Sequence, residues 1–516
     1  MKLSRYVVVS DQKEDGTWVL LHGVTGALDI VTSDIVAGLQ RYGSFFSSQG
    51  NTLDTTRLPK PTEFSNLSHS EVALLVDRGY ITESSDEEEQ KIVSAAASVL
   101  HDEAAKQPSF LVLPTLDCNY RCTYCFERPV QQNIHRHESN QSPTLKSLDI
   151  RVSHNEGNVV TTPAMVDALF DAITSVRAVH GDNRNAGQIV LYGGEPLDSA
   201  NESIVRYIVE QGRLRGFRFS TITNGHDLNH FMDLFGPGSI EQVQVSIDGP
   251  ERIHNKRRIS LGSEKSYQKV VDNVNCLLQR GGTLVQIRVH LDLANLDDFE
   301  ELLGEFRTLG WIDHPDLLIY TNTVYKMKPG DPVSTDISLH DMDQRLRHLT
   351  TLHRNLYLNA PSINIRAKWM PALLDGHNVP VQGNYCTANT GQYVFAPDGH
   401  IYSCWESVGK INSRIGTFFT NGKADLKLDE EKTKQWFSRH VGLIPECRAC
   451  PMALICGGGC AQFALYNTGK QLAPYCDNFD AMFRSALKDT AAALLRRLNQ
   501  SVKGDIPEGL VAANYS

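Results

Sequence analysis

Eleven cysteines are the residues of this 516-residue chain whose type and spacing first suggest chemistry. Cys118, Cys122 and Cys125 form a C-x3-C-x2-C run inside DCNYRCTYCFE. Three thiolates on one short loop can hold three irons of a cubane iron–sulfur cluster, leaving the fourth iron open to a substrate or cofactor. A structural zinc site wants four ligands, and no fourth cysteine lies close by. Seven more cysteines follow the middle of the chain. Cys386 and Cys404 flank Gly399 as C-x12-G-x4-C, then Cys447, Cys450, Cys456 and Cys460 make C-x2-C-x5-C-x3-C, and Cys476 closes the set. Seven thiols divide poorly into two four-ligand zinc knuckles. Cys276 stands apart in a helical pattern and is expected to be a small buried hydrophobe.

The elements that must position these thiols can be read from periodicity. Strands are expected at 110–116, 188–194, 217–224, 242–248, 284–291 and 316–323, with amphipathic helices between them, among them 164–179, 267–280 and 297–310. Such alternation predicts an α/β fold of parallel strands covered by helices, as an open sheet or partial barrel. The first cysteine run begins just past the end of the first of these strands, where parallel α/β folds place their chemistry. Residues 1–83 read as a small α+β unit: strands at 5–10 and 17–23, helices at 33–43 and 67–81. SSDEEEQ (84–90) reads as a charged, solvated break, and 92–106 as a connecting helix. A polar insertion spans 129–162, periodicity fades after about 365, 481–498 is helical, and 499–516 is a frayed tail.

Composition narrows the function. There are 50 Lys+Arg against 60 Asp+Glu, a net charge of −10, which argues against phosphate-driven nucleic-acid binding. No apolar run approaches the ~20 residues of a membrane span. The N-terminus lacks the pattern of a secretory signal. A cytoplasmic location is therefore expected, where thiols stay reduced and serve as ligands rather than disulfides.

CxxxCxφC with Tyr124 at the aromatic position resembles the hallmark of the radical S-adenosylmethionine (SAM) enzymes. Later strand ends carry the same resemblance: Gly193-Gly194-Glu195-Pro196, then Thr223-Asn224-Gly225, then Ser246-Ile247-Asp248-Gly249-Pro250. His254-Asn255-Lys256-Arg257-Arg258 is similar to the family's HDxxR, with Asn255 in place of Asp; Arg258 occupies the Arg slot, with Arg257 one position away. The resemblance covers about 110–326. It implies a partial (β/α)6 barrel, a SAM-binding [4Fe–4S] cluster on Cys118, Cys122 and Cys125, and SAM contacts from Tyr124, Gly193, Gly194, Glu195, Pro196, Asn224, Ser246, Asp248 and Arg258. One-electron cleavage of SAM would yield a 5′-deoxyadenosyl radical that abstracts hydrogen from a substrate.

The later cysteines resemble the SPASM extension of radical SAM peptide maturases, which holds two auxiliary [4Fe–4S] clusters, giving three clusters in all. The family's ligation would assign Cys447, Cys450, Cys456 and Cys476 to one auxiliary cluster. Cys386, Cys404 and Cys460 would hold the other, with an open iron or a non-cysteine ligand. Sulfatase-maturating relatives carry an Asp base directly after the cysteine matching Cys404. Here Trp405 stands in that place and Glu406 follows as a candidate base.

The start of the chain resembles a winged-helix-like element that binds the leader of a ribosomally made precursor by strand addition. Its 7 Lys+Arg and 14 Asp+Glu in residues 1–90 give a net −7, which would repel nucleic acid and suit a basic leader. The expected domains are 1–90 (recognition), 91–108 (linker helix), 109–365 (barrel), 366–500 (SPASM) and 501–516 (tail). The function implied is oxidative thioether or C–C crosslinking of a precursor peptide, fed by an external flavodoxin- or ferredoxin-type donor. Epimerisation or side-chain oxidation is the alternative, and a non-enzymatic zinc-rich interaction protein the third reading.

Overall fold

The fold is that of a computed structural model. It describes residues 1–13, 15–61, 66–127, 160–182, 184, 187–262, 265–324, 339–350, 356–357, 369, 372 and 380–488. Most of the 129–162 insertion and all of the 499–516 tail lie outside these residues, as does the end of the 481–498 helix; a helix runs from 479 through 488.

The N-terminal strands are β1 (Lys2–Leu3), β2 (Val7–Val9), β3 (Trp18–His22), β4 (Leu28–Val31) and β5 (Ile81–Thr82). β2, β3 and β4 form an antiparallel sheet, and β1 pairs with β5. Periodicity marks β2 and β3 but not β4, β1 and β5, which are short and depend on partners elsewhere in the chain. Helices Ser33–Leu39 and His69–Asp77 complete this region.

Residues 84–90 depart from expectation. They are not a break. Helix Asp86–Ala105 starts there on a capping box between Ser85 and Glu88, and four acidic residues in its first turn suit the positive end of the helix dipole. Glu89 is buried and accepts from Ser4 Oγ at 2.5 Å.

The main sheet begins with β6 (Ser109–Val112), β7 (Gly187–Leu191), β8 (Phe217–Thr223), β9 (Ile240–Ser246), β10 (Leu284–Leu291) and β11 (Leu317–Thr323). The six expected strands are thus found within a few residues of their predicted bounds. They run parallel, in chain order across the sheet, with short β12 (Leu356–Tyr357) beyond β11. On the other flank β13 (Gln392–Phe395) pairs parallel with β6, followed antiparallel by β14 (His400–Tyr402), β15 (Arg414–Thr420) and β16 (Lys423–Leu428). The result is an open sheet of eleven strands.

Alternation gives this sheet two different faces. Ile189, Leu191, Phe219, Val243, Val245, Val285, Ile287 and Val289 join one apolar core with residues of helices Pro163–His180, Glu202–Leu214, Ser266–Arg280 and Phe299–Thr308. Tyr192, Gln244, Ser246, Arg288, His290 and Tyr320 occupy the intervening positions and present polar groups on the opposite face. Cys276 is exposed, contrary to expectation. The buried stripe of its helix runs through Val270, Val271, Val274, Leu277 and Leu278, and position 276 falls off it. Among the described residues no helix is long and apolar enough to cross a membrane.

Candidate active site

The first cysteine run lies in a loop that is itself paired. Arg121 N–H donates to Ile259 O (2.8 Å), Thr123 N–H to Arg257 O (2.9 Å), and Leu261 N–H to Asn119 O (2.9 Å). This extended pairing brings Cys118 and Cys122, both buried, and half-buried Cys125 into one cluster around Tyr120. Tyr120 N–H points at Cys118 Sγ, 3.3 Å away. Burial pushes the Cys118 thiol well above its ordinary range, and Glu195, Cys122 and Cys125 push it further. Thiols packed this way become thiolates when a cation supplies compensating charge, which suits a metal-binding trio. Among the described residues no three His, Cys, Asp or Glu side chains are spaced to hold a single metal ion; a cubane instead takes each thiolate on its own iron.

The Gly193–Pro196 turn sits against this loop. Glu195 N–H donates to Asp117 O (2.8 Å), and a Cβ on Gly194 would lie 1.9 Å from Asp117 O, so only glycine fits. The Glu195 carboxylate turns inward, accepting from Thr223 Oγ1 (2.5 Å), Leu197 N–H (2.9 Å) and Asn224 N–H (2.7 Å). Burial still raises its pKa to about 7 against those three bonds. Glu195 thereby buckles the ends of β7 and β8 together. Asn224 Nδ2 donates to Asn119 Oδ1 (2.7 Å), tying the β8 end to the cysteine loop.

At the end of β9, Asp248 is fully buried. It accepts from His290 N–H (3.0 Å) and from the Tyr124 hydroxyl, and lies 3.1 Å from His290 Nδ1. Arg258 Nη1 donates to the Tyr124 hydroxyl at 2.7 Å and lies 3.8 Å from Asp248. The Arg257 guanidinium sits 5.2 Å from the Tyr124 ring centre. Burial opposes ionisation of Asp248, but His290, Arg258 and Arg257 outweigh it and hold the carboxyl below the usual range. Both arginines of the motif therefore flank Tyr124. Asn255 faces away from this group, and its Oδ1 accepts from Tyr267 N–H (2.9 Å) and Ser266 Oγ (3.0 Å), at the start of the next helix.

The later cysteines form two further groups. Cys447, Cys450, Cys456 and Cys476 line one small cavity, together with Gln49 and Met452. Burial raises the thiols of Cys386, Cys404 and Cys460; Cys460 lies close enough to raise Cys386 and Cys404 further, and Cys386 to raise Cys404. Arg439, fully buried, stands near members of both groups. It donates to Gln471 O (2.8 Å), Gly459 O (2.9 Å), Gly458 O (2.9 Å) and Ala473 O (3.0 Å). A Cβ on Gly459 would meet Tyr475 O at 1.7 Å.

Between the first trio and Cys404 lie polar residues that periodicity does not mark. Glu127 is raised to about 8 by burial, then by Glu406 and Glu195. Glu406 is raised to about 7, chiefly by burial, with Lys410 and Arg288 opposing. Glu406 Oε2 and Arg288 Nε are buried without a hydrogen-bond partner. Tyr192 lies beside Glu127, Glu406 and Cys125, and Trp405 packs on its ring at 6.0 Å. Glu127 was legible only as the second residue after Cys125, and Arg288 and His290 only as polar alternates on β10. Arg439 carried no signal in the sequence.

Known proteins bear on this geometry. Residues 112–306 match the radical SAM superfamily. The chain is 22% identical over 395 residues to a cysteine-type anaerobic sulfatase-maturating enzyme of Clostridium novyi, covering 73% of this chain and 95% of that protein. It is 24% identical over 204 residues to an S-adenosylmethionine-dependent nucleotide dehydratase of Psychrobacter lutiphocae. That match spans 38% of this chain and 59% of the dehydratase, less than two thirds of its length. The solved structure of native anSMEcpe with bound AdoMet and Kp18Cys peptide is similar in fold, with a TM-score of 0.52 and 16% identity over 75% of this chain and 99% of that one. SAM and a [4Fe–4S] cluster are the cofactors this superfamily implies. Residues 112–306 therefore carry a radical SAM domain.

Proposed function

We propose that this enzyme is a SPASM-type maturase that oxidatively crosslinks a ribosomally made peptide, forming a thioether or C–C bond. The observation that carries the reading is the grouping of seven cysteines beyond the barrel. Cys404 and Cys460 lie beside Glu406, which neighbours Glu127, and Cys447, Cys450, Cys456 and Cys476 surround a cavity near Arg439. Closing a crosslink removes two electrons from the peptide: one leaves with the abstracted hydrogen atom, and redox groups in these places would receive the other.

Cys118, Cys122 and Cys125 would hold the SAM-binding cluster, and the two later groups the auxiliary clusters. Bound SAM and its cluster supply the hydrogen-abstracting radical. The chain's own residues shape the pocket. The turn Gly193, Gly194, Glu195 and Pro196 offers backbone groups, held in place by the Glu195 carboxylate. Tyr124, Asn224, Ser246, Asp248 and Arg258 form the facing wall, with Asp248 and Arg258 fixing the Tyr124 ring. Glu406 is the candidate base: buried, with a pKa near neutrality and one oxygen free of hydrogen bonds. It can take the substrate proton lost on crosslinking. Arg288, near Glu406, has a buried Nε without a partner and could donate it to a peptide carbonyl.

The precursor's leader would add to β4, which is paired on one side only among the described residues. A flavodoxin- or ferredoxin-type protein would supply the initiating electron. In this arrangement residues 1–90 recognise the leader, 109–365 carry the radical chemistry and 366–500 hold the auxiliary clusters. The Clostridium novyi relative is named for maturing a protein, and the anSMEcpe structure contains a peptide; both support a peptide substrate here. Trp405 in place of a base speaks against formylglycine formation, and exposed Cys276 on an outer helix is badly placed to quench a substrate radical, as epimerisation requires. Anaerobic enzyme incubated with SAM, reductant and its precursor peptide should yield peptide lighter by two hydrogens. Unchanged mass in H2O, with a gain of one mass unit in D2O, would overturn crosslinking in favour of epimerisation.

A further inference from the structure

The cavity lined by Cys447, Cys450, Cys456 and Cys476 is closed in part by a residue about 400 positions away. Gln49 lies at the centre of the Ser48–Gly50 turn with φ 58° and ψ 16°, a left-handed conformation. Its side-chain Nε2 donates to Cys476 Sγ at 3.4 Å, and its backbone hydrogen-bonds Cys450.

The turn is clamped to the body of the enzyme rather than resting on it. Arg5 donates to Ala449 O (2.8 Å) and to Gly50 O (3.4 Å), and its guanidinium stacks 4.2 Å from the Phe46 ring centre. Arg484 donates to Phe46 O (2.9 Å) from the far side. The Tyr6 hydroxyl donates to Arg448 O (2.5 Å), between Cys447 and Cys450. The N-terminal region therefore delivers the Gln49 side-chain amide to Cys476 and its backbone to Cys450, both in fixed positions.

Hydrogen bonds to a cluster's sulfurs help set its reduction potential. An N–H donor favours the reduced form, whose sulfurs carry more negative charge, and so raises the potential. We infer that Gln49 is a positioning residue that raises the reduction potential of the cluster held by Cys447, Cys450, Cys456 and Cys476, so that the N-terminal unit helps set how readily this cluster accepts electrons. The inference rests on the proposed assignment of those four cysteines as cluster ligands.

Redox titration of the anaerobic holoenzyme, followed by electron paramagnetic resonance, tests it. Cys476→Ala identifies the relevant signal as the one it abolishes, with loss of that cluster's share of iron and sulfide. Gln49→Leu keeps the bulk over the cavity but lacks the donor, and should shift that signal to lower potential. Gln49→Lys restores a donor with positive charge and should shift it above wild type. Gln12→Leu, an exposed change elsewhere in the N-terminal region, should leave it in place. Wild-type potentials in both Gln49 variants would overturn the inference while leaving the ligand assignment intact. Full iron and unchanged spectra in Cys476→Ala would instead overturn the ligand assignment, and the inference with it.

Discussion

Arg439 offers the sharpest test of how the later cysteines are organised. Its guanidinium donates to four carbonyls, of Gly458, Gly459, Gln471 and Ala473, and is fully buried. Hydrogen bonds from a charged donor contribute about 1.5–3 kcal/mol each. Four of them sum to roughly 6–12 kcal/mol as a ceiling, since such terms are not additive and water can enter. Even half of that ceiling rivals the whole stability of a domain, about 5–15 kcal/mol. Arg439→Met should therefore open the 456–476 segment locally rather than be absorbed by repacking. Cys456, Cys460 and Cys476 sit on that segment, with at least one in each group. Iron and sulfide should fall to the content of the Cys118–Cys125 cluster alone, while SAM cleavage on reduction persists. Hydrogen exchange should quicken at 456–476 and stay slow in the parallel strands of the main sheet. Arg439→Lys, with three donors for four carbonyls, should fall between the two. Full iron content and unchanged exchange in Arg439→Met would show that the cysteine groups do not depend on this cation.

Two further outcomes follow from the same kind of accounting. Tyr124→Phe removes a hydroxyl that bonds Asp248 and Arg258, so it should weaken SAM binding by about tenfold, or about 1.4 kcal/mol, with the cluster's spectrum retained; equilibrium binding at wild-type strength would refute the role. Burial lowers the His22 pKa from 6.5 to about 4, with its Nδ1 accepting from Thr25 N–H and its Nε2 2.9 Å from Ser4 Oγ. The folded state thus excludes a proton that the unfolded chain binds, so this contribution, about 3 kcal/mol at most, is present above pH 6.5 and lost as pH falls towards 4. Thermal melts of wild type and His22→Gln over that range should converge at low pH, and parallel slopes would sink the assignment.

The parallel strands of the main sheet were legible because each is a run of alternating apolar residues that buries one face on helices, a constraint local to the segment. Their ends carried the motif residues, so Tyr124, Glu195, Asn224, Asp248 and Arg258 could be grouped from the chain alone. What those residues do to one another was not legible. Glu195 and Asp248 are fixed by partners from several different strand ends, and only the sheet order brings these into contact. The same limit hid β13, four residues that become a strand by pairing with β6 across nearly 300 residues of chain. It also hid the capping of helix Asp86–Ala105, where a run of acids that reads as solvated supplies a buried partner to Ser4 and Lys2.

Beyond residue 380 the chain is organised by sulfur and by carbonyl oxygens more than by apolar periodicity. Cysteine spacing pointed to two groups of thiols, and the structure brings the members of each group close together. The spacing did not reveal the groups that hold the intervening backbone. Arg439 satisfies four carbonyls there and Gln49 closes the cavity mouth, yet neither residue type in isolation marks a site. Both become legible only when one asks which buried backbone oxygen or sulfur in this region still needs a donor, a question that sequence spacing cannot pose.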